Sequence, residues 1–400
     1  MRLWSWGVGR LWVGLALVAG GFAPVATAGS FITPINFPAP IPVDMTRNAQ
    51  AWFGERTDPV SGLYEVGLWK DGQFTAFPEG FYLGGISDDA SVVSGAVFSI
   101  DWSNWPPTIT NTGYLWTNGV LTPMASAGEE SAFGASVSAN GQVVVGTVYL
   151  SGQSTPQAFR MEGGVKTLLG TLAGDNSSYG QLVTADGSTT AGESYNTETY
   201  NKRVFIWREG VLTELPDLPG MDPYGIEDDA SVLALSDDGS TVVGLGSGPE
   251  GWKLVRWVDG QIEVLWNKSI TSSQFLNDVS ADGKIVSVNV GGNDPNGDFY
   301  GGSMIWRKEL GIRSFERYAT YHHGLDLGLN PGDQLTVTTM TPDGRYFSYY
   351  VDDLNYNRRG YIAYLDPADF VVPEPSTVCL GVLGTVGLMW SARRKLAARV

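Results

Sequence analysis

A ten-residue segment that recurs seven times limits how this 400-residue chain can fold more than any other feature of it. It reads MTRNAQAWFG at 45–54, ISDDASVVSG at 86–95, VSANGQVVVG at 137–146, VTADGSTTAG at 183–192, LSDDGSTVVG at 235–244, VSADGKIVSV at 279–288 and MTPDGRYFSY at 340–349. Successive copies lie about 49 residues apart. Asp or Asn followed by Gly tolerates the positive φ of a tight hairpin turn, and the β-branched residues after it begin a new strand. A second segment follows each copy: YEVGLWKDG (64–72), TGYLWTNG (112–119), QAFRMEGG (157–164), RVFIWREG (203–210), KLVRWVDG (253–260), GSMIWRKELG (302–311) and, more weakly, GYIAYLDP (360–367). There a strand ends on a large residue, at Trp69, Trp116, Met161, Trp207, Trp257, Trp306 and Tyr364, and a turn leads into a short outer strand such as VLTPM or VLTEL.

Each unit therefore supplies four short antiparallel strands, and units of this length suit blades arranged around an axis. Seven units predict an all-β, seven-bladed β-propeller with no amphipathic helix. A pair of β-sandwiches is the rival arrangement, and the 49-residue period opposes it. The large residues that end the third strands are expected in the core between sheets. The last unit lacks a fourth strand, because YIAYLDPADF runs directly into the C-terminal tail; SFITPINF (30–37) is the segment expected to supply it and close the ring. The alternation of QAFRM or VFIW with VSANGQVVVG resembles the HAF-type extracellular repeats over roughly residues 45–365. That resemblance implies export and β-structure but no chemistry. Met161 and Tyr364 in place of Trp, and the missing final Gly in copies six and seven, depart from it and bear on the blade number.

The two ends read as addresses. Arg2 and Arg10 precede the apolar run Leu11 to Ala23, and Ala26-Thr27-Ala28 is an A-x-A cleavage site, so 1–28 is expected to be a signal peptide. At the other end VVPEPST is followed by fifteen uncharged residues, Val378 to Ala392, and then by Arg393, Arg394, Lys395 and Arg399. Fifteen residues fall short of the ~20 that usually span a bilayer. The basic tip nevertheless favours a membrane helix held from the cytoplasmic side. The tail, 371–400, resembles the PEP-CTERM sorting signal. That resemblance implies recognition of Pro373-Glu374-Pro375 by an exosortase-type membrane protease, transient anchoring of the precursor by the tail, and release to the cell surface or an extracellular polysaccharide matrix. The remaining segment, 29–370, is the expected propeller.

Charge and cysteine usage narrow the partners. The formal charge is −17, and it becomes about −23 without residues 1–28, the C-terminal apolar run and the basic tip. Nucleic acid, whose phosphates need Lys and Arg, is opposed by that balance. Cys379, the single cysteine, lies in the tail, so the expected mature domain depends on its core and not on a disulfide.

Strand order puts the Asp-Gly turns and the Trp-strand turns on one face and the longer connections on the other: 98–111, 193–202, 216–229, 290–302 and 316–334. Loops on a rigid scaffold are where function concentrates. Trp102, Trp105, Tyr195, Tyr200, Tyr224, Tyr300 and Tyr321 fall in them and offer flat surfaces to sugar rings; as a rival role they fill gaps between blades. The expected function is non-catalytic binding or structuring of extracellular material such as exopolysaccharide. The alternatives are a polysaccharide hydrolase or lyase using carboxylates on the long-loop face, and a structural module for protein contacts. No cofactor or metal is expected. His322 and His323 are adjacent and read as structural. Asp294, Asn296 and Asp298 only partly fit a calcium loop, with Phe299 where Gly belongs. The acidic doublets Asp88-Asp89, Asp228-Asp229, Asp237-Asp238 and Asp352-Asp353 read as turn residues.

Overall fold

A computed structural model describes residues 29–370 apart from 37–39, 59, 102, 104, 106, 107, 221–228, 271 and 294–298. It contains seven four-stranded antiparallel sheets. Blades 1 to 6 span 41–76, 81–123, 129–168, 177–214, 231–270 and 272–314. Blade 7 takes three strands from 334–364 and its outermost strand from Phe31–Ile35, which pairs antiparallel from Phe31↔Tyr364 to Ile35↔Gly360. Inner strands touch their neighbours in cyclic order, blade 7 meeting blade 1, so the chain forms a closed seven-bladed propeller. The expected N-terminal closing strand is in place. Copies six and seven make complete blades without the final Gly.

The repeat turn explains why the ten-residue segment recurs. In every blade a buried Ser or Thr starts it: Thr46, Ser87, Ser138, Thr184, Ser236, Ser280 and Thr341. At Ser138 the hydroxyl donates to Asn140 Oδ1 at 2.9 Å and accepts from Val143 N–H at 3.0 Å, while Asn140 Oδ1 also accepts from Gln142 N–H at 3.0 Å. The same three bonds recur at the other extreme of the ring, with Thr341, Asp343, Arg345 and Tyr346. One hydroxyl thus satisfies a buried N–H that the turn would otherwise orphan and fixes the Asn or Asp side chain that braces the turn. The turn closes on a left-handed residue, Gly141 in blade 3 but Ala49 and Ala90 in blades 1 and 2, at φ 54° and 52°. Neighbouring turns bond to each other around the axis, Asp88 N–H to the Ala139 carbonyl and Ala139 N–H to that of Ala185.

The final Gly of the segment marks a close backbone approach. A Cβ on Gly146 would stand 1.8 Å from the Phe133 carbonyl oxygen of the partner strand. Blade 7 replaces this Gly with Tyr349, which is buried and stacks on Tyr361 at 5.1 Å.

Core clusters lie between successive blades. Phe53, Phe77, Phe81 and Val93 pack where blades 1 and 2 meet, with Phe77 and Phe81 ring centroids 4.8 Å apart. Such aromatic pairs contribute about 0.5–1.5 kcal/mol beyond area burial. Of the residues that end the third strands, Trp257 and Trp306 are buried; Trp69, Trp116, Met161, Trp207 and Tyr364 are only half-buried. They stand at the rim of the blade, where the strand meets its turn, so coverage depends on what the adjacent blade brings up.

Three connections differ from expectation. The 98–111 segment is mostly a ribbon, because strands Val92–Asp101 and Thr108–Thr117 stay paired out to Asp101↔Thr108. Likewise 290–302 pairs out to Asn293↔Phe299. The link 316–334 opens with a helical turn, Phe315–Arg317, and a π-turn, Tyr318–His322. Both turns are too short for an amphipathic period to register in the sequence.

Candidate functional site: a charged cleft at the ring seam

Two cavities follow from the closure. The larger, about 860 Å³, lies on the long-loop face where blade 7, the N-terminal strand and blade 1 meet. Two loops of the same construction flank it. Asp353 Oδ1 accepts from the N–H groups of Asn355 and Asn357 at 2.8 and 2.9 Å, which forces Tyr356 to φ 61° and leaves its side chain 89% exposed. On blade 1, Asp58 Oδ1 accepts from Val60 and Ser61 N–H at 2.7 and 3.2 Å and presents Tyr64, 63% exposed.

Between the two tyrosines runs an ionic floor. Arg358 makes a two-point pair with Asp352, both bonds 2.9 Å, stacks over Tyr350 at 3.7 Å and reaches Glu55 at 3.8 Å. Tyr64 donates its hydroxyl to Glu55. Partial burial and that carboxylate raise the Tyr64 hydroxyl well above the ordinary tyrosine range, so it stays protonated. Arg56 pairs with Glu65 at 2.7 Å and lies 3.7 Å over Phe74; Arg359 pairs with Asp333 at 3.3 Å. Each guanidinium is matched by a carboxylate. The cleft therefore presents donors, acceptors and two aromatic faces with little net charge.

The second cavity, about 200 Å³, is the axial channel near the repeat-turn face. Every inner strand carries a register irregularity. The residues that follow it are Asp44, Gly85, Ser136, Leu182, Ala234, Asp278 and Thr339, one from each blade in order. Blades 6, 7 and 1 thus bring together Asp278, Thr339 and Asp44. Thr339 donates to Asp44 at 3.4 Å, and Asp278 accepts from Met340 N–H at 2.7 Å. Burial raises Asp44 to about 6; burial and the Asp44 charge raise Asp278 to about 7. Both side chains are half-buried and line the cavity, where the surrounding protein leaves each carboxyl poorly solvated and disfavours its charged form. One turn higher, Arg47 of blade 1 crosses the channel to Asp88 of blade 2, at 3.1 Å, and to Asp237 of blade 5.

The sequence-derived candidates scatter. Trp102 and Tyr224 lie outside the described residues, as do Asp228, Asp294, Asn296, Asp298 and the sorting residues Pro373, Glu374, Pro375, Arg393, Arg394 and Lys395. Trp105, 87% exposed, tops the blade 2 ribbon; Tyr200 is exposed in the blade 4 loop; Tyr195 is half-buried at the end of its strand; Tyr300 is the second residue of the blade 6 strand Phe299–Arg307. Tyr321 is exposed on the π-turn beneath Arg317. Trp105, Tyr195, Tyr200 and Tyr321 line neither cavity. His322 and His323 are buried against Phe370, and burial lowers His323 to about 4. Among the described residues no cluster of three or more metal-ligating side chains forms, and no helix is long and apolar enough to cross a membrane.

The acidic doublets divide their work. Asp89 and Asp238 hold the repeat turns as expected. Their predecessors Asp88 and Asp237, three repeats apart in the sequence, converge on Arg47 at the axis. Asp44 and Asp278 were not anticipated. Their signal in the sequence is positional: each stands immediately before a copy of the ten-residue segment, the place the fold turns toward the axis.

Residues 371–395 match the PEP-CTERM protein-sorting motif. No curated protein matches the chain. Among solved structures it resembles a prolyl endopeptidase (TM-score 0.52, 11% identity, covering 82% of this chain and 47% of that one). It is also similar to a TolB from Agrobacterium tumefaciens (0.42, 13%, 74% and 94%) and to the β-propeller domain of the Trilobed protease from Pyrococcus furiosus (0.48, 9%, 87% and 99%). At 11% identity the likeness to the prolyl endopeptidase shows a shared fold alone.

Proposed function

We propose that this is an exported surface or matrix protein whose propeller binds a hydroxyl-rich extracellular polymer, namely polysaccharide, at the seam cleft on its long-loop face. The sorting motif supports export, with residues 1–28 removed as a signal peptide and the tail serving as a transient membrane anchor until an exosortase-type protease acts at Pro373-Glu374-Pro375. The repeats are of the extracellular HAF type in this reading. One observation carries the binding assignment: exposed Tyr64 and Tyr356 flank a floor of Arg358, Asp352 and Glu55 in which every charge is paired. Aromatic faces that stack on sugar rings, with planar donors and acceptors between them, suit a polyol better than an ion. A cavity of about 860 Å³ is also within the usual size of ligand sites. Trp105 and Tyr200, exposed on the same face, extend the contact surface for a long chain.

A second reading, a polysaccharide hydrolase or lyase, rests on Asp44 and Asp278, two converging acids that titrate near neutrality. The axial cavity is far smaller than the cleft and is crossed by Arg47, which favours binding over hydrolysis there. Co-sedimentation of the 29–370 fragment with the host's exopolysaccharide separates the readings. Binding lost in Tyr64→Ala and Tyr356→Ala, without new reducing ends, is the expected result. Binding retained in both variants refutes the cleft. Reducing ends that appear with wild type and vanish with Asp278→Asn establish the enzyme.

A further inference from the structure

The two ends of the propeller meet at the seam. Gly29 N–H donates to Asp366 Oδ2 at 3.3 Å, and Ser30 N–H donates to Asp369 Oδ2 at 2.5 Å. In return Ser30 Oγ accepts from Asp366 N–H at 2.8 Å. Asp369 Oδ2 also lies 3.7 Å from where a Cβ on Gly29 would stand. These contacts lie next to Phe31–Ile35, the one strand that closes the ring, and next to residue 371, where the sorting motif begins. They follow directly on the Ala26-Thr27-Ala28 site.

We propose that removal of residues 1–28 places the new α-ammonium of Gly29 beside Asp366 and Asp369, so that processing at the N terminus locks the strand that closes the propeller. This rests on the export reading above. Hydrolysis by a signal-peptide-removing protease breaks the Ala28–Gly29 amide: water gives its hydroxyl to the Ala28 carbonyl, and the nitrogen leaves as an amine that is protonated near neutral pH. In the precursor this nitrogen is an uncharged amide N–H. In the processed chain the same atom carries a full charge and three donors, and hydrogen bonds assisted by charge are roughly twice as strong. Asp366 is ready for it, because its bonds from Ala368 and Gly29 N–H hold its carboxyl below the usual carboxylate range. The other charged groups facing this corner are Asp369, Arg345 and His323, and burial keeps His323 neutral at physiological pH. The sign is that of a raised amine: the lock is fully present below the free α-amino value of about 7.7–8.0 and is lost as pH rises through the folded value.

The ring is complete within residues 29–370, so this fragment is the unit to test. Three forms are compared: a free Gly29 amine released without extra residues, the same fragment acetylated on Gly29, and the free form carrying Asp366→Asn. At pH 6 the free form is expected to exchange the amides of Phe31–Ile35 about threefold or more slowly than the acetylated form, with the difference gone at pH 10 and absent in Asp366→Asn. Equal exchange in the free and acetylated forms, or a difference that survives Asp366→Asn, overturns the proposal. N-terminal sequencing of the protein from its host is the separate arm: a terminus other than Gly29 refutes the export-processing reading itself, whatever the exchange data show.

Discussion

Replacing Asp278 by Asn removes the most perturbed acid of the axial channel, and the structure sets both sign and size of the effect. Asp278 is raised from an ordinary 3.8 to about 7, by burial first and by the neighbouring Asp44 charge second. The folded protein therefore holds this proton more tightly than the unfolded chain does. Its stabilising contribution is complete below about pH 4, falls as pH rises toward 7, and is gone above that. At about 1.4 kcal/mol per pKa unit the full swing slightly exceeds 4 kcal/mol; solvent contact at this half-buried site brings the expected value to about 2–4 kcal/mol. Asn keeps the shape and an acceptor for Met340 N–H but cannot ionise. Urea melts followed by tryptophan fluorescence at pH 4.5 and pH 8 should show wild type losing about 2–4 kcal/mol relative to Asp278→Asn across that interval, so that the variant is the more stable protein at pH 8. Parallel pH profiles for the two proteins would refute the argument, because they would mean that Asp278 ionises in the folded state as freely as in the unfolded one.

Other outcomes follow from the same geometry. Ser138→Ala strips a buried turn of its shared hydroxyl and is expected to cost about 1–3 kcal/mol in a chemical melt, whereas Ser138→Thr, the residue blades 1, 4 and 7 use, should cost under half of that. Arg47→Met leaves Asp88 and Asp237 unpaired at the axis and takes a positive charge from Asp44, so its destabilisation should be larger at pH 8 than at pH 5. Gly146→Ala forces a Cβ to 1.8 Å from the Phe133 carbonyl oxygen and should lower thermal stability more than any surface Gly→Ala change, for example at Gly152, which has open space around it but carries its own left-handed strain. Arg358→Lys keeps the charge but loses the two-point pair with Asp352 and the stack on Tyr350, and should weaken polysaccharide co-sedimentation about tenfold without unfolding the ring.

The sequence by itself determined the blade. A Ser or Thr, an Asp or Asn two residues on, and a Gly or other left-handed residue after it specify a turn through bonds that close within six residues, so each copy can be read alone. Seven copies gave seven blades, and the missing fourth strand of the last unit pointed to SFITPINF as its complement. Copies six and seven kept their blades without the final Gly, because the turn bonds, not that Gly, define the unit. The sorting motif at 371–395 was legible too, since it is a local pattern along the chain.

Only the tertiary structure decided where the chemistry gathers. Tyr64 and Tyr356 are nearly 300 residues apart, and the seam that joins them exists because an N-terminal strand completes a C-terminal blade. Asp44 and Asp278 become neighbours because the ring brings blade 6 within one blade of blade 1. Asp88 and Asp237, which pass for turn residues in the sequence, face a common guanidinium only when their turns point at one axis. Hydrogen bonds that span a few residues are written locally; burial and charge proximity are properties of closure, and a circular fold sets them for residues that no window along the chain contains together.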